Sequence, residues 1–373
     1  MSEPVIPAPD PDATVPFHFS HPARESRAWE SGTALVRLAD DVVTVSGSDR
    51  LTWLHAITSQ QFTGIVPGLS VEGLILTPEG RIAHAFGAVD DGDTVWLVTE
   101  SGRGAQLAAF LDSMRFASRV EVAHRADLAV VAIRRAAPAH LAAALATPGA
   151  SSSLAVWDDP WPVTTGTTYG PADAQHPASS PDAAWDVRKL VVADADAAAG
   201  AWQEAGGELA GMWTYEAFRV AAWRPRLARE VDERTVPHEL DWLRTAVHMH
   251  KGCYRGQETV ARVVNLGKPP RRLVFLHLDG SAEDLPDPGA AVSLGGRAVG
   301  RVTSAARHHE LGPIALAVVK RNTDPAATLL VEGHDGTVMS AAQTSIVDPA
   351  GRSADTPETR PGAELRRSGI SLK

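Results

Sequence analysis

The spacing of apolar residues changes character several times along this chain, and each change marks a different kind of element. Residues 35–45 carry a run of apolar and β-branched positions that predicts a strand. Asp49-Arg50 then opens a stretch with Leu51, Leu54 and Ile57 at helical spacing. Residues 71–76, 82–89 and 94–98 read as strands, with Pro78-Glu79-Gly80 as a hairpin turn, and 101–116 returns to the helical period. The order strand, helix, strand, strand, helix follows over 128–133, 139–146, 154–157, 187–193 and 197–205, a small α+β unit. Within it, residues 158–184 are rich in Pro, Thr, Ser and Ala and read as an exposed loop. Residues 214–223 predict a helix that stops at Arg224-Pro225, and 235–242 an extended, proline-marked connector. Beyond Pro269-Pro270, short alternating segments at 272–278, 291–294, 297–303, 314–319 and 328–331 predict a small antiparallel β-barrel. The fold class is α+β with a C-terminal barrel.

Length adds that one core is not enough, because single cores stop growing near about 250 to 300 residues and this chain has 373. No apolar run approaches the roughly 20 residues of a membrane span. The first 20 or so residues are rich in Pro and Asp and lack the basic start and apolar centre of a secretory signal, so 1–25 is expected to be a disordered leader and the polar stretch 349–373 a disordered tail. A single cysteine excludes an intrachain disulfide framework and suits a reducing compartment, the cytoplasm. The net charge of −10 argues against direct nucleic-acid binding. Basic residues nevertheless gather in one stretch: Arg219, Arg224, Arg226 and Arg229, then Lys251, Arg255, Arg262, Lys268, Arg271 and Arg272. Converging, they make a local basic face suited to a discrete anion.

The chemistry concentrates in Lys251-Gly252-Cys253-Tyr254-Arg255-Gly256-Gln257-Glu258. The thiolate is the reactive form of cysteine, and Lys251 and Arg255 are placed in sequence to favour it. Good helix formers begin at Gln257, so a helix amino end can point back at the sulfur. Gly252 and Gly256 permit a tight loop. The alternative is a surface turn that happens to hold a cysteine. His248 and His250 offer a metal-ligand reading with Cys253, but structural zinc sites take four ligands and one cysteine is present, so no tightly bound metal is expected. A Cys-His hydrolase lacks any oxyanion-hole motif here.

The octet matches K-G-C-[FY]-x-G-Q-E and continues Thr259-Val260-Ala261-Arg262, which resembles the signature of the YgfZ-type folate-binding proteins, relatives of the glycine-cleavage T-protein that serve iron-sulfur enzymes. Arg224-Pro225-Arg226 with Thr235-Val236-Pro237-His238-Glu239, Gly47 to His55, Thr77-Pro78-Glu79-Gly80-Arg81-Ile82 and Gly300-Arg301-Val302-Thr303-Ser304 resemble further family segments. The resemblance spans roughly residues 30–347 and is strongest over 224–272. It implies two α+β subdomains, 26–125 with 207–268 and a ferredoxin-like 126–206, which surround a central folate cleft together with a barrel at 269–348. It implies tetrahydrofolate as ligand, with Arg226 and Glu239 in the site; Trp213, Tyr215 or Trp223 are candidates to stack on the ring, the alternative being an aromatic helix face that belongs to the core. Where the family reads E-A-G-x-P, this chain reads Ala221-Ala222-Trp223-Arg224-Pro225, which removes a carboxylate partner for the pterin. Cys253 is the working thiol in a setting of Lys251, Gly252, Tyr254, Arg255 and Gly256. Gln257 and Glu258 cap the next helix or touch ligand, and Arg262 anchors an anion or the loop. The implied function is a folate-dependent accessory factor for assembly or repair of iron-sulfur proteins. Its partners are those proteins or their assembly factors, reached through Cys253, and any effect on tRNA modification passes through a cluster-bearing enzyme. The rival is a tetrahydrofolate-dependent aminomethyltransferase.

Overall fold

A break in one apolar run organises the molecule. The computed structural model describes residues 6–146, 149, 151–180, 184–266, 268–280, 284–334, 336–353 and 355–357. The continuous pattern at 35–45 is two strands, Ala34–Leu38 and Asp41–Ser46, which leave for different sheets at Ala39-Asp40. Asp40 anchors the crossing by a largely buried ion pair with Lys189, 2.6 Å away.

The second of these strands lies in an antiparallel sheet ordered Ser70–Leu76, Ile82–Asp90, Thr94–Thr99, Asp41–Ser46, Glu121–His124. Helices Arg50–Ile57 and Gly104–Ser113 cover one face, where Leu54, Leu107 and Leu111 meet Val43, Val45, Phe86 and Leu97. The first lies in a sheet ordered Ser153–Asp158, Val187–Val192, Ala129–Arg134, Ala34–Leu38, Glu208–Ala210. Here Leu141 and Trp202, on helices Ala139–Ala144 and Ala195–Glu204, close over Leu35, Val131 and Ile133. Residues 34–38 and 208–210, assigned from sequence to the first subdomain, therefore complete the sheet of the second. Periodicity alone does not reveal which sheet a strand enters.

From Arg271 to Ser345 the chain forms a closed antiparallel barrel: Arg271–Leu278, Gly312–Lys320, Arg297–His308, Ala291–Leu294, Leu329–Glu332, Val338–Ser345 and back to the first. The last strand, Val-Met-Ser-Ala-Ala-Gln-Thr-Ser, lacks a strong apolar alternation, yet Met339 and Ala341 fill the barrel interior. The barrel's outer face is also apolar where Leu273, Phe275, Ile314, Leu316 and Val318 meet the central core. Helix Met212–Ala221 runs through that core, burying Met212, Tyr215 and Phe218 among Trp29, Trp185 and the barrel.

Three expectations of disorder or exposure need correction. Residues 6–18, read as leader, form the paired strands Ile6–Pro7 and Pro16–His18, with Ala8 and Asp12 buried, and helix Pro22–Glu30 follows. Of the segment read as an exposed loop over 158–184, residues 158–180 are anchored by Trp161, which is fully buried and donates to the Ala222 carbonyl at 2.9 Å, and by the Tyr169 amide, which donates to Asp241 at 2.6 Å; residues 181–183 lie outside the described residues. In the tail, the Gly351 carbonyl accepts from Lys268 at 2.9 Å. Residues 1–5 and 358–373 lie outside the described residues.

Candidate functional site

The octet sits on a loop clamped from two sides. Upstream, the Lys251 ammonium donates to the carbonyls of His55, Thr58, at 2.6 Å, and Gln60, at 3.0 Å. It lies 5.2 Å from the Tyr254 ring, a cation–π distance. The His248 amide donates to Ser59, so residues 248–251 are fastened to the turn after helix Arg50–Ile57. Downstream, Gly256 takes φ +83°, and a Cβ there would stand 2.6 Å from the Thr77 carbonyl and 3.0 Å from Gly80 Cα. Gly80 in turn leaves no room for a Cβ against Thr259. Two sequence segments 170 or so residues apart, the Pro-Glu-Gly hairpin and the octet, thus press glycine to glycine.

Between the clamps, Cys253 is exposed and Gly252 has open space where a side chain would go. Helix Gln257–Leu266 begins directly after Gly256, with Gln257 half-buried and Glu258 exposed in its first turn. Arg255 and Arg262 are exposed, and the charge of Arg255 acts on Glu79 of the hairpin. Burial pushes Lys251 down to about 8 and the half-buried Tyr254 phenol up. This arrangement corrects the expected role of Lys251: its ammonium is spent on three carbonyls and braces the loop instead of facing the thiol. Gly252, unlike Gly256, is not demanded by sterics.

The expected basic face also resolves differently. Arg219 pairs with Glu216 and Glu230, Arg224 with Glu72 and Asp159, Arg226 with Asp12, Glu100 and Glu216, and Arg271 with Asp232 and Glu239. Arg272 is fully buried and donates to Thr323, Gln343 and Ser345. These arginines are internal ties. Of the gathered cations, Arg255, Arg262 and Lys268 remain exposed near the octet.

At the junction of the two sheets and helix Met212–Ala221 lies a chamber of about 60 Å³. Tyr215 and Arg226 line it, as expected of the folate residues, together with Trp157, Trp185, Lys189, Arg224, Glu72, Asp159 and Asp12. Trp213, Trp223 and Glu239 do not. Trp213 packs on Phe17 with ring centroids 5.2 Å apart. Trp223 is wedged between His176 and Phe275, and its φ of +60° explains why a glycine suits this position in the resembled family. Glu239 is fully buried and holds Arg271. Ala221, at the family's acidic position, packs against the apolar core. Two open grooves of about 290 and 340 Å³ lie outside, the first bounded by Gln60, Ser70 and Glu72 and both by Thr165 and His248. Glu72 is the wall shared by the first groove and the chamber, held by Arg224 at 2.6 Å and the Trp242 indole at 2.8 Å. Sequence reasoning passed over Glu72 and Asp159. The available signal was an acidic residue inside an apolar strand, Val71-Glu72-Gly73-Leu74, since buried charges are paired.

The His248 and His250 rings stand 6.4 Å apart, and among the described residues the grouping with metal-ligand spacing is instead Glu30, His309 and Glu310. No helix among the described residues is long and apolar enough to cross a membrane.

Residues 271–346 match the glycine cleavage T-protein C-terminal barrel domain. A chloroplastic protein of Arabidopsis thaliana, named only provisionally as a transferase, is 24% identical over 331 residues, covering 83% of this chain and 70% of its own. The crystal structure of glycine cleavage system aminomethyltransferase T from Bartonella henselae superposes with a TM-score of 0.69 at 17% identity, over 91% of this chain and 92% of that one. Barrel match, relative and shared fold together place this chain in the superfamily of the glycine cleavage T-protein.

Proposed function

We propose that this protein is a folate-linked accessory factor for iron-sulfur proteins, acting through Cys253. The observation that carries the reading is one exposed thiol on a loop braced from both sides, by Lys251 and by the Gly80–Gly256 contact. A braced loop presents its sulfur in a fixed place at little entropic cost. The cluster or the client protein is the substrate. The thiolate ligates a cluster iron in transit or exchanges with a client disulfide, and either chemistry needs one open sulfur. Arg255 and Arg262, exposed in the octet and on the helix that follows it, attract acidic client surfaces. An effect on tRNA modification would then pass through a cluster-bearing enzyme, without direct nucleic-acid contact. We place the protein in the cytoplasm, where a lone thiol stays reduced.

Folate is the ligand that the resemblance implies, and the chamber as it stands does not fit it. The chamber has a volume of about 60 Å³, whereas ligand pockets run from about 300 Å³ upward. No step of the proposed chemistry is therefore routed through folate. The second reading, a tetrahydrofolate-dependent aminomethyltransferase, is favoured by the overall fold alone.

The test replaces Cys253 by Ser in cells that depend on this protein. The expected result is an intact fold with loss of cluster-enzyme activity, including the tRNA-thiomodifying enzymes. Full activity in that variant would sink the thiol reading. Turnover of tetrahydrofolate by the purified chain with an aminomethyl donor would establish the rival.

A further inference from the structure

The chamber is small partly because a segment from the start of the chain reaches into it. Strands Ile6–Pro7 and Pro16–His18 pair, and the turn between them delivers Asp12 to Arg226, whose two terminal nitrogens lie 2.9 and 3.0 Å from the carboxylate. Asp12 is 3% exposed and forms part of the chamber wall. Arg229 fastens the same turn by donating to the Asp10 carbonyl at 2.6 Å. At the strap's far end, Phe17 rests on Trp213, and its carbonyl comes so near Gly211 that a Cβ there would lie 2.2 Å away.

We propose that residues 6–18 are a strap that gates a ligand site in the central chamber, with Asp12 occupying the space that the polar edge of a folate would take. The proposal rests on the folate reading above. Two features mark the chamber as a site and the strap as its removable wall. Arg224 is more than nine-tenths buried, and its Nη1 has no protein partner although its other nitrogens are bound to Glu72 and Asp159. A buried guanidinium nitrogen left over is a donor awaiting an acceptor, and Trp157, Trp185 and Tyr215 supply aromatic walls around it. The ligand class this selects is a planar heteroaromatic ring with an accepting edge, which describes a pterin. Second, withdrawing Asp12 does not strand Arg226. That guanidinium keeps Glu216 at 2.9 Å and Glu100 at 3.5 Å, so opening avoids the penalty of an unpaired buried charge. Beyond Glu72 the groove of about 290 Å³ supplies further room for the rest of the ligand.

Anaerobic calorimetric titration with tetrahydrofolate, on the full chain and on Asp12→Ala, combined with limited proteolysis of residues 6–18, tests the gate. The variant is expected to be cut faster in the strap and to bind about tenfold tighter, because apparent affinity is reduced by the closed fraction. Equal affinity in both chains with a loosened strap overturns the gate while leaving folate binding in place. No binding in either chain, with the strap loosened, overturns the gate and the folate reading together. If Asp12→Ala leaves the strap protected, the Asp12→Ala/Phe17→Ala chain replaces it. A strap still protected there is a fixed wall, and the proposal falls. Cluster-enzyme activity of Cys253→Ser is read separately, so none of these outcomes bears on the thiol.

Discussion

The central junction and the octet loop are built from the same stretch of sequence and the same residue types, yet they solve opposite problems. In the junction, Arg219, Arg224 and Arg226 are each at most 9% exposed in their side chains and each faces two or more carboxylates. In the loop and the helix after it, Arg255 and Arg262 are exposed, and Cys253 is exposed as well. A buried cation must be compensated or it costs several kcal/mol, so the junction's arginines are fixed as structural ties. An exposed cation costs little and remains free to meet a partner. Lys251 is the transition between the two regimes: it belongs to the octet in sequence and to the interior in space.

The largest effect that separates the regions is expected at Arg219. Its guanidinium holds Glu216, Glu230, Ser304 and the Arg224 carbonyl, and Glu230 is fully buried. Arg219→Ala should lose about 3 to 5 kcal/mol, because it strands a buried carboxylate. Arg262→Ala should stay within about 0.5 kcal/mol. Urea unfolding midpoints compare the two, and similar losses would erase the distinction between tie and free cation.

Next comes the clamp. Gly256→Ala places a Cβ at a positive φ and against the Thr77 carbonyl, so a cost of about 1 to 3 kcal/mol is expected, together with a displaced loop. Faster alkylation of Cys253 by a bulky maleimide would report that displacement.

A smaller effect appears as a pH dependence of the junction. Burial, and then the Arg244 charge, hold His176 at about 3, far below its ordinary 6.5. Below about pH 6.5 the unfolded chain takes a proton that the folded chain refuses, so stability falls as pH drops from there toward 3. Burial holds His238 and His308 at about 4, and they act in the same direction. Asp241 opposes them: burial lifts it to about 6, so between about 6 and 3.8 the folded chain binds the extra proton. His176→Phe, which keeps the ring contacts with Trp161 and Trp223, should flatten the decline by about 1.4 kcal/mol per pH unit between pH 6 and 4. An unchanged slope would place a charged, solvated His176 in the folded chain.

What was legible in the sequence divides along the same line. The barrel and the helix after the octet follow from local alternation and helix-forming residues, and the exposure of Cys253 follows from its polar, glycine-flanked setting. The strap, the anchoring of segment 158–180 and the exchange of strands between sheets depend on contacts between distant residues, such as Asp12 with Arg226 or Trp161 with Ala222. Local pattern carries no record of such partners. A cluster of arginines reads as a surface until the acids that neutralise it are located, and beside the nearby Glu216, Glu230, Asp232 and Glu239 these include acids from the distant positions 12, 72, 100 and 159.

The smallest expected effects are the most telling for the loop. Gly252 has no atom within 4 Å of a prospective Cβ and does not adopt a positive φ, in contrast to Gly256 four residues on. Gly252→Ala and Cys253→Ser should each change stability by no more than about 0.5 kcal/mol, since neither fills nor empties buried space. The two should then part in function. Gly252→Ala keeps the sulfur, whereas Cys253→Ser removes it, so cluster-enzyme activity should survive the first and fail in the second. A loss of activity in Gly252→Ala without loss of stability would mean that a partner docks against the open space at Gly252 itself. Loss of stability in either would mean that the loop is part of the interior, and the contrast between braced junction and open thiol would fail.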